Sequence, residues 1–355
     1  MTDTRPVKTA SRGGASLAVI AVVVGGFALW WLRGILTPLV LAVFMLIVVD
    51  GAAKTLARRA GIPAKTAVSV ALALVLAAFV GAIWLIVDNA SQMVAESSAF
   101  GPRLDQLLKL GAEKFGMAEA PTLSQLAHQI NPAKYIGSLA GGVGTVAESA
   151  FLVLVYLGFM LASRSRFSGK LDALFIGEGR ANAHVLIRRI ENGIEGYVWV
   201  QTITGLILAG ASAILMTVLG MSHVWFWSFL VFLAAYIPII GGAVGIFFPA
   251  LFALIELPEL WKPAVLLVGL QLVHMLVGNI VTPRLQGERL NIDPIVVVLS
   301  LVFWGLLWGV PGAFLSTPMT VLIMAVCAEF PAMRGVAVLL SANGKPFAET
   351  KVGAA

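Results

Sequence analysis

The sequence predicts an all-α protein that crosses a membrane several times, and three observations predict it. The 355-residue chain is 59% hydrophobic and only 12% charged, where soluble domains carry roughly 25% charged residues. Its apolar residues gather in runs, many near the ~20 residues that cross a hydrocarbon core, separated by short clusters of Lys and Arg. Two of the runs are too long for a single span and are broken by Pro and Gly. The net charge of +6 is spread as topology control requires, not gathered into a face for nucleic acid. The single cysteine, Cys327, excludes an intrachain disulfide and a thiolate metal site.

The apolar runs cover approximately 17–32, 35–49, 66–87, 136–162, 197–219, 224–256, 264–282 and 294–330. Arg5, Lys8 and Arg12 ahead of the first run imitate a secretory signal, but no small-residue cleavage site precedes Trp30, so an uncleaved span is predicted. The first two runs are short. They fit one long helix kinked at Gly34 and Pro38, or a tight hairpin of two tilted spans. Basic residues on both flanks (Lys54, Arg58, Arg59 and Lys65 follow) favour the hairpin. With run 66–87 it makes an N-terminal membrane unit, 1–87. Residues 88–135 form an extracytoplasmic insert in which Leu104, Leu107, Leu108, Gly111 and Phe115 fall at helical spacing. A span and a basic cytoplasmic connection occupy 136–196. The core is 197–330, and 331–355 is a cytoplasmic tail.

Charge orders the core as well. The loop Arg284–Arg289 and the tail with Arg334, Lys345 and Lys351 both prefer the cytoplasm. Run 224–256 then starts and ends outside, and run 294–330 starts and ends inside. A span plus broken hairpin from outside (197–256) is matched by a span plus broken hairpin from inside (264–330), an inverted repeat. Backbone opened at membrane depth is tolerated only where protein or a water-filled cavity covers it. The breaks therefore supply the candidate substrate pathway: Pro238, Gly241, Gly242 and Pro249 in one run, Gly309, Pro311, Gly312 and Pro318 in the other. The plainer reading of the same residues is helix kinking and close packing.

Asn279, Pro283 and Arg284 extend this pathway, because an amide inside an apolar run needs a partner. Arg284, Glu288, Arg289 and Asp293 read equally well as a solvated, topology-setting loop. Glu148 and Asp293 are the candidates for ion coupling. No acid lies clearly mid-span, which counts against a carboxylate-based antiporter. His128, His184, His223 and His274 are scattered, and the sequence holds no HExxH pair, GxSxG elbow or Walker lysine loop. No enzyme activity, cofactor or metal is expected.

The segments PRLQG (283–287), LNIDP (290–294) and GVPGAFLSTP (309–318), preceded by Gly278-Asn279 and YIPIIGGAVGIFFP (236–249), resemble the AI-2E family of bacterial membrane transporters, the PerM-like permeases. The resemblance covers nearly the whole chain. It implies an inner-membrane protein of about eight hydrophobic segments, associated with autoinducer-2 export, or in some members with sodium/proton antiport. It also implies homo-oligomerisation as pentamers. Asp293 stands where many relatives carry His, which weakens a case for pH sensing there. The expectation is an inner-membrane transporter with both termini cytoplasmic. It would export a small polar metabolite, autoinducer-2-like furanones leading, by alternating access around the broken hairpins. A monovalent cation/proton antiporter is the alternative, and a channel or membrane scaffold the third reading. The expected partners are solute, lipid and further copies of the chain, without nucleic acid.

Overall fold

The computed structural model describes residues 12–95, 97–114, 132–175, 177–286 and 291–346, and every regular element among them is a helix. The helices are α1 (Arg12–Trp31), α2 (Arg33–Ala60), α3 (Ala64–Ala95), α4 (Ser97–Lys114), α5 (Pro132–Leu174), α6 (Glu178–Val218), α7 (Val224–Ala234), α8 (Ile240–Glu256), α9 (Trp261–Leu276), α10 (Thr282–Gln286), α11 (Pro294–Glu329) and α12 (Arg334–Leu340). A five-residue π-turn, Val277–Val281, joins α9 to α10. Among the described residues five stretches, in α2, α3, α6, α9–α10 and α11, are long and apolar enough to cross a membrane.

The first two helices depart from the expected hairpin. Leu32 stays near helical geometry (φ −83°, ψ 7°). Its amide donates to the Ala28 carbonyl at 2.9 Å, and its own carbonyl accepts from Leu36 at 2.9 Å. The chain bends there without turning back, so the kinked-helix alternative holds and the charge argument for a hairpin fails. The bend frees the Leu29 carbonyl, which accepts from the Trp308 indole at 3.2 Å. Arg33 lies 5.0 Å from the Trp30 ring centroid. Interactions local to the bend thus outweigh the flanking charges.

The second connection is a true hairpin. Gly61 adopts φ 64°, the left-handed cap that ends a helix without penalty for glycine. Helices α2 and α3 then pack through Val49, Ala53, Ala67 and Ala71. Three alanines there let the backbones approach closely, which is how helices associate in lipid. Helix α5 docks on α2 through Ala42, Val153 and Leu157, and α6 crosses α2 and α11.

The two ends of the bundle differ chemically. At one end ion pairs link helices, among them Asp50–Arg164 (2.8 Å), Lys54–Glu195 (2.5 Å), Arg180–Asp172 (2.7 Å) and Arg189–Glu329 (3.9 Å). The other end is tied by polar contacts. Glu256 accepts from the Ser222 amide at 2.6 Å and meets its hydroxyl, and the His223 ring meets Asn89 at 3.3 Å. Arg103 of the amphipathic insert donates to the Leu257 and Pro258 carbonyls at 3.1 and 2.8 Å. Helix α4 therefore caps this end of the bundle; Phe115, the last residue of its predicted stripe, lies outside the described residues.

Candidate functional site

Helices α7 and α8 fold back on each other as hairpin A. Both its ends lie at the Ser222–Glu256 end of the bundle. Its turn, residues 235–239, penetrates to the level of Tyr197 and Gln201 on α6. Helix α11 is the counterpart, hairpin B. It begins at Asp293, whose carboxylate caps it by accepting from the Ile295 amide at 2.8 Å. It reverses at Gly309 (φ 68°, ψ −143°) and ends at Glu329, beside Arg189. The arms, 294–308 and 310–329, face each other: the Ser300 hydroxyl donates to the Ser316 carbonyl at 2.9 Å and meets Thr320 at 2.6 Å. The hairpins thus enter from opposite ends of α6.

One glycine closes each hairpin. A Cβ on Gly241 would stand 1.9 Å from the Ala234 carbonyl oxygen, and one on Gly312 2.0 Å from the Trp304 carbonyl oxygen. No side chain fits there, so both positions need glycine for close approach. Gly241 is thus the steric equivalent of Gly312, whereas Gly242 faces open space.

The turns are built differently. In hairpin A the Ile240 amide donates to the Pro238 carbonyl at 2.6 Å, with Ile239 between them at φ 64°, ψ −58°. That is a γ-turn with positive φ at its centre, a rare and strained conformation. For a β-branched residue it costs on the order of 1–3 kcal/mol and persists only where the surroundings over-determine it. Helix α6 supplies those surroundings. Tyr197 donates its hydroxyl to the Tyr236 carbonyl at 2.7 Å, and Gln201 donates its amide to the Ala235 carbonyl at 2.6 Å. These are two of the carbonyls that the helix break leaves without intrahelical partners.

A third bond completes the cluster. Thr202 Oγ1 lies 2.7 Å from the Tyr236 hydroxyl and 2.7 Å from the Val198 carbonyl. A threonine has one hydroxyl proton, and the carbonyl can only accept it. Tyr236 is therefore the donor to Thr202.

The two hairpins meet at this cluster. The Tyr236 ring stacks on Phe314 of hairpin B, centroids 5.1 Å apart and planes 25° apart, and Phe314 stands edge-on to Phe44 of α2 at 5.7 Å. The buried Thr317 of hairpin B stands against the Tyr197 hydroxyl. Tyr197 touches both hairpins.

A cavity of about 870 Å³ reaches this point. It lies between α2, α3 and α6 and runs along α6 from Arg189, Asn192 and Glu195 to Trp199 and Thr202. Those 13 helical steps correspond to about 20 Å of rise, two-thirds of a ~30 Å hydrocarbon core. Gly51 and Thr55 of α2 floor it, with Val48 and Leu56 as apolar wall. It is polar and ion-paired at its start, apolar along its flanks, and lined at its far end by Thr202, the residue bonded to Tyr236. A second recess of about 260 Å³ between α8 and α9 is walled by apolar side chains and offers no recognition chemistry.

The predicted pathway residues divide around this geometry. Pro238 lies in the turn of hairpin A with Gly241 just beyond it in the second arm, and Gly309 turns hairpin B with Pro311 and Gly312 opening its second arm. Pro249 and Pro318 are buried in the second arms. Asn279 does not join them: it sits exposed in the π-turn and donates to its own helix at Met275, 2.9 Å away. Pro283 and Arg284 are exposed on α10, and Glu288 and Arg289 lie outside the described residues. Asp293 serves as a helix cap, and Glu148 is exposed on α5. Sequence reasoning missed Tyr197, Gln201 and Thr202. The sequence shows them as polar residues at helical spacing inside an apolar run but does not show the carbonyls they meet.

Comparison with known proteins bears on the whole chain. A family model described as "AI-2E family transporter" matches residues 18–332. The chain is 28% identical to the AI-2 transport protein TqsA of Escherichia coli K12, over 62% of this chain and 64% of that protein. It is 24% identical to a putative transport protein of Haemophilus influenzae, over 91% and 94% of the two chains. It is 27% identical to the putative permease PerM of E. coli K12, over 89% and 93%. The match to TqsA and that to a Borreliella burgdorferi putative transport protein thus span less than two-thirds of those relatives (64% and 54%).

Proposed function

The chain belongs to the AI-2E family of transporters, and from that premise we propose that it carries a small, oxygen-rich metabolite across the bacterial inner membrane by alternating access around the two hairpins. The observation that carries this reading is the cavity that follows α6 from Arg189 to Thr202, the residue that meets Tyr236 of hairpin A where that ring stacks on hairpin B. Two inverted hairpins meeting beside a polar-mouthed cavity are the parts that such a cycle requires. Autoinducer-2-like furanones are the leading substrate class, supported by the name of one relative, an AI-2 transport protein.

The orientation follows from charge. The end that gathers Lys54, Arg58, Arg59, Arg164 and Arg189 is cytoplasmic by the positive-inside rule, as is the C-terminal tail. The cavity then faces the cytoplasm, the side from which an exported solute enters. The exposed apolar faces of α1 and α3, including Val22, Val23, Leu74 and Trp84, offer surface for lipid or for further copies in a homo-oligomer.

Flux into proteoliposomes tests the reading. Uptake of a neutral hydroxylated furanone that exceeds empty liposomes and saturates with concentration is the expected result. Cation-dependent pH change without furanone flux would instead identify an antiporter. Flux of neither kind would leave a scaffold.

A further inference from the structure

We propose that Tyr236 is the solute sensor of the transport cavity: an oxygen atom of a neutral, hydroxylated solute replaces Thr202 as the acceptor of the Tyr236 proton, and the tip of hairpin A is released. This rests on the cavity being the transport route. It adds the residues that read the solute and the chemical class they read.

Four observations converge on Tyr236. Its hydroxyl is the donor to Thr202, because the Thr202 proton is committed to the Val198 carbonyl. Thr202 lines the cavity, so a molecule at that end of it comes within reach of the hydrogen bond. The carbonyls of Tyr236 and its neighbour Ala235 are the ones that α6 holds, through Tyr197 and Gln201. Three residues further along, Ile239 occupies the strained γ-turn. A strained turn pinned by three hydrogen bonds is a two-state element: weakening the pins favours a relaxed turn.

The exchange also sets the ligand's chemistry. The solute must present an acceptor oxygen to the Tyr236 hydroxyl, which a hydroxyl, ether or carbonyl group does and an ammonium does not. Charges along the route are compensated, Glu195 by Lys54 and Arg189 by Glu329, which favours a neutral molecule over an ion. The apolar flanks at Val48, Leu56 and Trp199 accept a carbon skeleton. A compact, uncharged molecule with several oxygens fits; inorganic cations and strong acids do not. A solute that merely occupied the cavity with equal affinity for both tip positions would move nothing. Displacement of Thr202 provides the differential contact.

The test uses the full chain in proteoliposomes with Cys327→Ala and a reporter, Ala243→Cys, on the exposed first turn of α8. The rate of alkylation by a membrane-impermeant maleimide is measured from the side opposite the cavity, with and without a neutral hydroxylated furanone or D-ribose. At least one of these probes is expected to accelerate labelling. Tyr236→Phe is expected to label about tenfold faster without any probe, the shift that loss of one hydrogen bond produces, and to ignore the probes. Thr202→Val should behave like Tyr236→Phe, and Thr202→Ser, which keeps the oxygen, should restore the probe response; together they serve if Tyr236→Phe does not fold.

Labelling of Tyr236→Phe and Thr202→Val at the parent rate, with the probe response intact, overturns the proposal. So does a parent protein whose labelling no probe alters. Flux measured in the same vesicles separates this inference from the one beneath it. Flux without probe-dependent labelling removes the sensor and leaves the transporter. Probe-dependent labelling without flux keeps the sensor and removes the transport reading.

Discussion

Hairpin B reverses at a glycine, whereas hairpin A reverses around an isoleucine. Gly309, at φ 68° and ψ −143°, occupies a region that is essentially glycine-only and that glycine enters with little steric penalty. Ile239 takes a positive φ that disfavours every β-branched side chain. The supports differ in the same sense. Hairpin B is held by its own arms, with Ser300 and Thr320 both on the Ser316 carbonyl. Hairpin A has its turn held by another element, through Tyr197, Gln201 and Thr202 of α6. One turn is relaxed, its arms tied to each other and its Trp308 bonded to the Leu29 carbonyl; the other is strained and pinned by α6. Two elements of like shape can thus serve as fixed wall and movable gate.

The largest expected effects test what the hairpins share. Gly241→Ala and Gly312→Ala each drive a Cβ to about 2 Å from a backbone carbonyl oxygen. Backbone cannot swing aside as a flexible side chain can, so each should destabilise by ~3 kcal/mol or more, seen as loss of the folded, monodisperse protein in detergent. Near-parental thermal stability in either variant would mean that its hairpin is not closed as described. Next in size is Gly309→Ala. Nothing lies within 4 Å of a Cβ there, so the cost is purely conformational, about 1–3 kcal/mol.

The complementary change, Ile239→Gly, should have the opposite sign. Strain relief exceeds the ~0.5–1 kcal/mol entropic penalty that glycine brings, so thermal stability rises slightly while furanone flux falls, because the pinned turn no longer stores a bias toward release. A drop in stability comparable to that of Gly309→Ala would erase the distinction between the hairpins. Removing a pin should act in the reverse direction: Tyr197→Phe loses a buried hydrogen bond worth roughly 1 kcal/mol and touches both hairpins.

The sequence carried the helical class, the broken runs and their opposed directions, because hydropathy and Lys/Arg placement are properties of the chain alone. It also pointed to Gly312 and Pro311, since glycine and proline announce backbone departures locally. It did not carry the α1–α2 bend. The flanking charges spoke for a hairpin, while the deciding interactions at Leu29 and Trp308 are nearly 280 positions apart. Nor did it carry the α6 pins. Tyr197, Gln201 and Thr202 acquire meaning only when hairpin A presents the Ala235 and Tyr236 carbonyls beside them. Asn279 erred in the other direction: an amide in an apolar run needs a partner, and the Met275 carbonyl of its own helix sufficed.

The smallest prediction uses pH to set the pinned turn apart from the charged connection leading into the same helix. Asp172 accepts from His184 and Arg180 at 2.8 and 2.7 Å, and these bonds, that to His184 foremost, hold its carboxyl below the ordinary aspartate value of 3.8. A depressed pKa contributes stability that is fully present above the ordinary value and is lost as pH falls through the folded one. The contacts of α5 with the start of α6 should therefore loosen only below about pH 4, and Asp172→Asn should remove that step. The pins on hairpin A are hydroxyls, amides and carbonyls that do not titrate in this range. Once the pH dependence of intrinsic exchange is divided out, protection from hydrogen exchange at 172–175 and 177–184 should fall on acidification while that at 235–241 stays flat. A parallel fall in both would mean that the turn is held by the charged end of the bundle and not by Tyr197, Gln201 and Thr202.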